Sequence, residues 1–308
     1  MRSLTLAYRD DDRLPVILAI REMARRHYDL DVRVVKIKDG GEYEAALFNG
    51  AADVIIEHLE YLYEEAAHGK KVSFLCAPSN GGGLDLVVPQ HISSVEDLRG
   101  RTMAVRTQGQ PHAVTLWLKM MGLEDDVTVV LVHDKEVGRW GQWKKIVSGE
   151  AAATFMSPLY LPEALAAGLK ILSVPEIPIV GQFAQACRAA FAHDNSVMLS
   201  AYVKAVVHAL VWLTLQAGDA LATLAPELKR GMKLSDEGEL KRRFDSVVGG
   251  LKIRPYPTPQ AIANTYEIAC IEYPAAKGLN PLSLWDLHWL KELDDAGFIK
   301  DLIARVGG

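Results

Sequence analysis

The segment RTQGQPHAV, residues 106–114, brings together several residues able to hold a ligand. It reads as a strand end, a turn of small polar residues around Gly109, and a helix that begins at Pro111. A helix start leaves backbone N–H groups unpaired and carries partial positive charge, so it attracts an anion. Proline suits the first helical position, because its missing N–H would have no partner there. Gln108, Gly109, Gln110 and His112 are therefore candidate ligand contacts, with Arg106 as a cation at the strand end. Glu57 and His58 interrupt the apolar run VII at another predicted strand end. An adjacent carboxylate and imidazole could grip a polar ligand or pass a proton. His58, Tyr61 and Glu65 read as following one another along one helix face.

Several other chemistries lack their residues. There is no H-E-x-x-H and no His/Cys cluster, so no metal is implied. There is no G-x-S-x-G elbow and no Walker A motif. Gly81–Gly83 precedes a strand instead of following one into a helix, so it is no dinucleotide fingerprint, and no cofactor is implied. Cys76, Cys187 and Cys270 lie far apart in apolar contexts and read as buried free thiols. Trp140 and Trp143 flank Gly141 on a predicted helix, where they suit core packing or the mouth of a cleft. Trp212, Trp285 and Trp289 read as core.

The elements that position these residues show through a repeat. The stretch from Ala46, ALFNGAADVIIEHLEYLYEEAAHG, aligns without gaps on the stretch from Lys145, KIVSGEAAATFMSPLYLPEALAAG. Gly50 falls on Gly149, Tyr61 on Tyr160 and Gly69 on Gly168. The same offset carries LTLAY, ending at Tyr8, onto MAVRT, ending at Thr107. One long period occurring twice indicates duplicated lobes, not a solenoid. Each copy alternates short Val/Ile/Leu-rich strands with helices, the pattern of a doubly wound α/β lobe. The run PEIPIVGQFAQACRAAF reads as a strand crossing back, and the chain from Asn195 onward as mostly helical. The expectation is two α/β lobes with a hinge and a helical C-terminal extension. Residues 1–85 and 177–308 would form lobe one and residues 86–176 lobe two. Ligands of such sheets sit beyond the carboxyl ends of the strands. That places Tyr8, Arg9, Asp10, Glu57, His58, Asn80, Gln108, Gly109, Gln110 and Ser157 on one expected cleft.

The chain resembles the type II periplasmic binding proteins, in the group that includes alkanesulfonate, taurine and nitrate binders and the thiamine-pyrimidine proteins. LTLAYRD, the span from Ala46, SSVEDLRGRTMAVRTQGQPHAVTLWLKMMGL, the span from Lys145 and HDNSVMLSAYVKAVVHALVWL carry the likeness. It implies two lobes, two crossing hinge strands and ligand capture between the lobes. It also adds Gln182 to the contact residues.

Among 308 residues, 49% are hydrophobic and 24% charged, and the net charge is -5. No basic face stands out, so nucleic acid is not an expected partner. The run Val203 to Leu215 is broken by Lys204 and His208 and is short for a bilayer, so no membrane insertion is expected. MRSLTLAYRD lacks the basic and apolar regions of a secretory signal. The reading is a cytoplasmic protein, or a periplasmic one from which a signal peptide has been removed. Two functions follow. The first is a solute-binding protein for a small polar anion, a carboxylate or sulfonate, working with an ABC permease or as a cytoplasmic homologue. The second is a cytoplasmic decarboxylase of an aromatic acid. There His58 or His112 would move the proton, Glu57 would orient it, and Arg106 or Arg9 would hold the carboxylate.

Overall fold

The computed structural model describes residues 2–81, 83–107 and 111–307. The chain divides into two compact units, Met1–Gly81 with Ile179–Gly308, and Gly82–Pro178.

Unit one opens with β1 (Arg2–Tyr8), α1 (Leu14–His27), β2 (Leu30–Lys36), α2 (Gly40–Asn49), β3 (Val54–Ile56), α3 (Glu60–Ala67) and β4 (Val72–Cys76). Unit two follows the same plan: β5 (Asp85–Val88), β6 (Thr102–Arg106), α4 (Pro111–Met120), β7 (Thr128–Val132), short helices α5 (Asp134–Val137) and α6 (Lys144–Val147), β8 (Thr154–Met156), α7 (Leu161–Ala166) and β9 (Lys170–Leu172). The chain then re-enters unit one as β10 (Gln185–Arg188) and α8 (Ala189–Asp194). Six further helices complete it: α9 (Ser196–Leu215), α10 (Ala217–Met232), α11 (Glu237–Gly249), α12 (Pro259–Glu272), α13 (His288–Asp295) and α14 (Phe298–Gly307).

The sheet of unit one has the order β2-β1-β3-β10-β4. β1 runs parallel to β2 and β3, whereas β10 runs antiparallel to both β3 and β4. Unit two repeats this arrangement. β6 pairs with β7 in parallel, and β5 lies antiparallel between β8 and β9. A parallel bridge between Met103 and Ala153, the residue just before β8, ties β6 to the start of β8. In each unit, then, a strand from outside the repeated block sits between its third and fourth strands. The sheets are mixed instead of wholly parallel for that reason.

The repeated glycines have a conformational cause. Gly50 and Gly149 both follow a helical turn with φ of 81° and 79°, in the left-handed region where a Cβ is unfavourable.

The main core of unit one packs α1 and α9 against one face of the sheet, with Leu6, Ile17, Ile20, Val206 and Leu210 wholly buried. Helix α9 has 20 residues, not the 13 that its apolar run suggests, so it is long and apolar enough to cross a membrane. Burial assigns it otherwise: 61% of its most apolar window lies inside the protein. Cys76 and Cys187 are buried free thiols, while Cys270 is only half-buried.

Candidate functional site

In unit one the strand order turns back between β1 and β3, the switch point at which open α/β sheets take ligands. Tyr8 closes β1 and is buried; burial, and then the Asp11 carboxylate, push its phenol up to about 12. Arg9 is exposed. Asp10 accepts from the Asp12 N–H at 3.2 Å and caps a short turn, Asp11–Arg13. That turn delivers Arg13 into the interior. Its guanidinium donates to Glu57 Oε1 at 2.5 Å and lies 5.7 Å from the centre of the Phe183 ring. Only 5% of the Arg13 side chain and 12% of the Glu57 side chain are exposed. The Glu57 N–H in turn donates to the Ala184 carbonyl at 3.2 Å. One buried ion pair therefore links β1, β3 and the returning chain. Neither Arg13 nor Phe183 stood out in the sequence, because their partners are 44 or more residues away.

His58 and Glu57 part company. His58 Nδ1 stands 3.7 Å from Glu60 Oε1, and Glu57 turns inward to Arg13. The expectation that Glu57 orients the imidazole is corrected: the inner guanidinium takes that carboxylate, and Glu60 is the one beside His58. Burial raises the Glu60 carboxyl, and His58 opposes that rise. Nor does His58 share a helix face with Tyr61 and Glu65, since α3 starts at Glu60. Tyr61 is buried, and its hydroxyl has no hydrogen-bond partner among the described residues. Burial pushes this phenol well above its ordinary value, and the Glu44 and Glu57 carboxylates add to the effect.

Asn80 has both ends of its amide engaged. Its Nδ2–H donates to the Tyr256 carbonyl at 2.8 Å, and its Oδ1 accepts from the Thr258 N–H at 2.9 Å. It thus fixes the loop before α12. Gln182 is half-buried one residue past Gly181, whose backbone presses on Ser79. A Cβ at residue 181 would stand 1.9 Å from Ser79 Oγ.

In unit two, Arg106 ends β6. Its Nε and Nη2 donate to the two oxygens of Asp134 at 2.7 and 2.5 Å, which holds the Asp134 carboxyl below the usual range. The Arg106 guanidinium also lies 4.9 Å from the Trp140 ring centre. Trp140 stacks on Tyr160, centres 5.9 Å apart, and Arg139 lies 5.8 Å from the Tyr160 ring. Trp140 has φ of 59°, uncommon for a bulky residue and a form of strain that clusters at functional sites. Trp140 is buried and caps a short 3-10 helix that Trp143 closes, just before α6 begins. Ser157, directly after β8, is half-buried, as is His112 in the first turn of α4. Gln108, Gly109 and Gln110 lie outside the described residues.

Thus the switch point of unit one brings Tyr8, Asp10, Glu57 and His58 together, with an acid-rich and phenolic character. The strand ends of unit two gather two guanidinium groups and two aromatic rings. The signal for Tyr160 was present in its alignment with Tyr61; Arg139, Asp134 and Arg13 left none.

The NMT1/THI5 like family profile matches residues 26–210, more than half of the chain. The chain belongs to this family. The family fold is shared with solved structures at low identity. One is described as the periplasmic sulfonate-binding protein SsuA of a sulfonate ABC transporter from Methylobacillus flagellatus KT. It has a TM-score of 0.70 and 19% identity, over 97% of this chain and 96% of that one. The periplasmic aliphatic sulphonate binding protein SsuA from Escherichia coli has a TM-score of 0.64 and 16% identity, over 89% and 87%. The alkanesulfonate-binding protein SsuA from Xanthomonas axonopodis pv. citri, bound to MOPS, has a TM-score of 0.59 and 14% identity, over 93% and 99%. These likenesses establish the type II periplasmic-binding-protein fold of this family member. No curated protein matches the sequence.

Proposed function

We propose that the chain is a substrate-binding protein for a small organic anion, a sulfonate or carboxylate, that serves an ABC-type importer. The observation that carries this reading is the cluster at the strand ends of unit two. Arg106 and Arg139 supply positive charge beside the Trp140 and Tyr160 rings. Guanidinium groups suit the flat or tetrahedral oxyanions of such ligands because their N–H donors fork. Asp134 grips Nε and Nη2 of Arg106 and fixes the plane of the guanidinium, so it acts as a preorganised group. Family membership and the fold of the sulfonate binders point the same way.

The test is calorimetric titration of the whole chain with a panel of alkyl and aryl sulfonates and carboxylates. Arg139→Gln should weaken the best ligand roughly tenfold or more, the loss expected for one charge-assisted hydrogen bond. A panel without any saturable binder, or an Arg139→Gln variant that binds as tightly as the parent, would overturn the reading.

A further inference from the structure

The repeat leaves one strand edge without the protection its counterpart has. The stretch DVRVVKI from Asp31 aligns with DVTVVLV from Asp126, so β2 in unit one answers to β7 in unit two. Each is an end strand, β2 beside β1 and β7 beside β6. An end strand carries a row of unpaired N–H and C=O groups, which natural sheets guard with charges, prolines, bulges or very short strands. Arg33 and Lys36, both exposed, guard β2. Where the alignment has those two charges, β7 has Thr128 and Leu131. Its five residues, TVVLV, include no charge and no proline, and they keep an unbroken register with β6. The other end strands are covered or short. β4 bridges to Trp285, and β9 has three residues, one of them Lys170. Val130 and Leu131 point to opposite faces of β7, yet they are 45% and 52% exposed. The strand is thus open on both faces as well as along its edge.

The backbone shows what could cover that edge. The Thr128 N–H donates to the Arg101 carbonyl, and the Val132 carbonyl accepts from the Thr107 N–H. In a parallel ladder this turns the groups of Thr128, Val130 and Val132 toward β6. Those of Val129 and Leu131 point outward. Such a row takes another strand, and β7 itself fits it. In an antiparallel pair about an axis at Val130, Val129 lies opposite Leu131 of the second copy on both sides of the axis. All of these residues direct their groups outward, so each pair exchanges both hydrogen bonds. Val130 then faces Val130 of the second copy at the closer, non-hydrogen-bonded spacing, about 4.5 Å between Cα atoms. A shift of one residue would set outward groups against groups already given to β6. The remaining pair, Thr128 with Val132, is β-branched on both sides, and no like charges oppose one another within the strands. Such self-complementarity is what a two-fold homodimer requires.

We infer that the outer edge of β7 is a self-association surface, on which a second copy of this chain lays its own β7 antiparallel and extends the sheet of unit two. It does not depend on the function proposed above.

The test is sedimentation of the whole chain from about 1 µM to about 1 mM, the range for the weak association that so short a strand supports. A reversible dimer should form as concentration rises. Leu131→Lys, which places at this edge the kind of charge that guards β2, should weaken the dimer roughly tenfold or more. Its melting midpoint at low concentration should match the parent's, because Leu131 is exposed. Mild oxidation tests the register. Val130→Cys should join two copies, since the spacing at the axis lies within disulfide reach. Leu131→Cys faces Val129 and should join far fewer. The parent chain, with its half-buried Cys270, gives the background. A chain that stays monomeric throughout would overturn the inference. So would a dimer that Leu131→Lys leaves intact, or equal cross-linking at the two positions.

Discussion

Arg13 and Glu57 show how a single residue decides what a neighbour can do. A carboxylate at a strand end is free to serve a ligand until a guanidinium claims it from below. With both side chains almost wholly covered, the loss of one partner leaves a buried charge uncompensated. Arg13→Met should therefore lower the unfolding free energy by roughly 3–5 kcal/mol. Arg13→Met combined with Glu57→Leu should recover much of that loss, as seen in urea denaturation. Recovery fails if the pair is merely adjacent and not coupled. Gly181 supplies a second prediction at this scale. Its Cβ position is blocked by Ser79 Oγ at 1.9 Å and by the Ser79 carbonyl at 3.2 Å. Gly181→Ala should cost about 1–3 kcal/mol, the range for overpacking. Ser79→Ala should relieve only part of the cost, because the carbonyl stays. Neither contact could be read from the chain. An arginine before an apolar helix and a glycine in a mostly apolar run have many ordinary explanations, and the partners that decide between them are over 40 residues away.

At the scale of elements, α1 and α9 meet at a histidine pair that ties their packing to pH. The Tyr28 hydroxyl is 3.1 Å from His208 Nδ1, and the His27 and His208 rings are 4.4 Å apart. Burial, then His27 and Arg305, push His208 down from 6.5 to about 4. The unfolded chain thus binds the proton more readily than the folded one, and stability rises with pH across that window. The His208 contribution should be fully present above pH 6.5 and be lost as pH falls toward about 4. His208→Gln should flatten that part of the urea-midpoint profile. The repeated glycines make a prediction of the same rank. Gly149 has open space around its Cβ position, so only backbone conformation is at stake. Gly50→Ala and Gly149→Ala should each cost about 1–2 kcal/mol in chemical denaturation. This is the level at which the sequence was most legible. Caps, strand ends and the alternation of strand and helix repeat because each copy meets the same local constraints. The antiparallel course of β5 and β10 was not legible, since a short apolar strand has the same pattern whichever way it runs.

At the scale of the whole molecule, one unit is continuous in the chain and the other is split by it. Residues Gly82–Pro178 hold all of unit two, with its own core around Leu86, Met103, Trp117 and Ala153. Unit one needs β10 between β3 and β4, and its core needs α9. During synthesis, which runs from the N-terminus, β1 to β4 emerge first yet lack the strand that joins two of them. The later-made unit is the first that can close. Nascent chains stalled shortly after β10 begins to emerge should show unit two resistant to brief proteolysis while β1–β4 are still cut. Chains released past α14 should resist throughout. The first 81 residues therefore wait on the ribosome as an unfinished sheet with an uncovered apolar face, and that interval is when the chain most needs a chaperone.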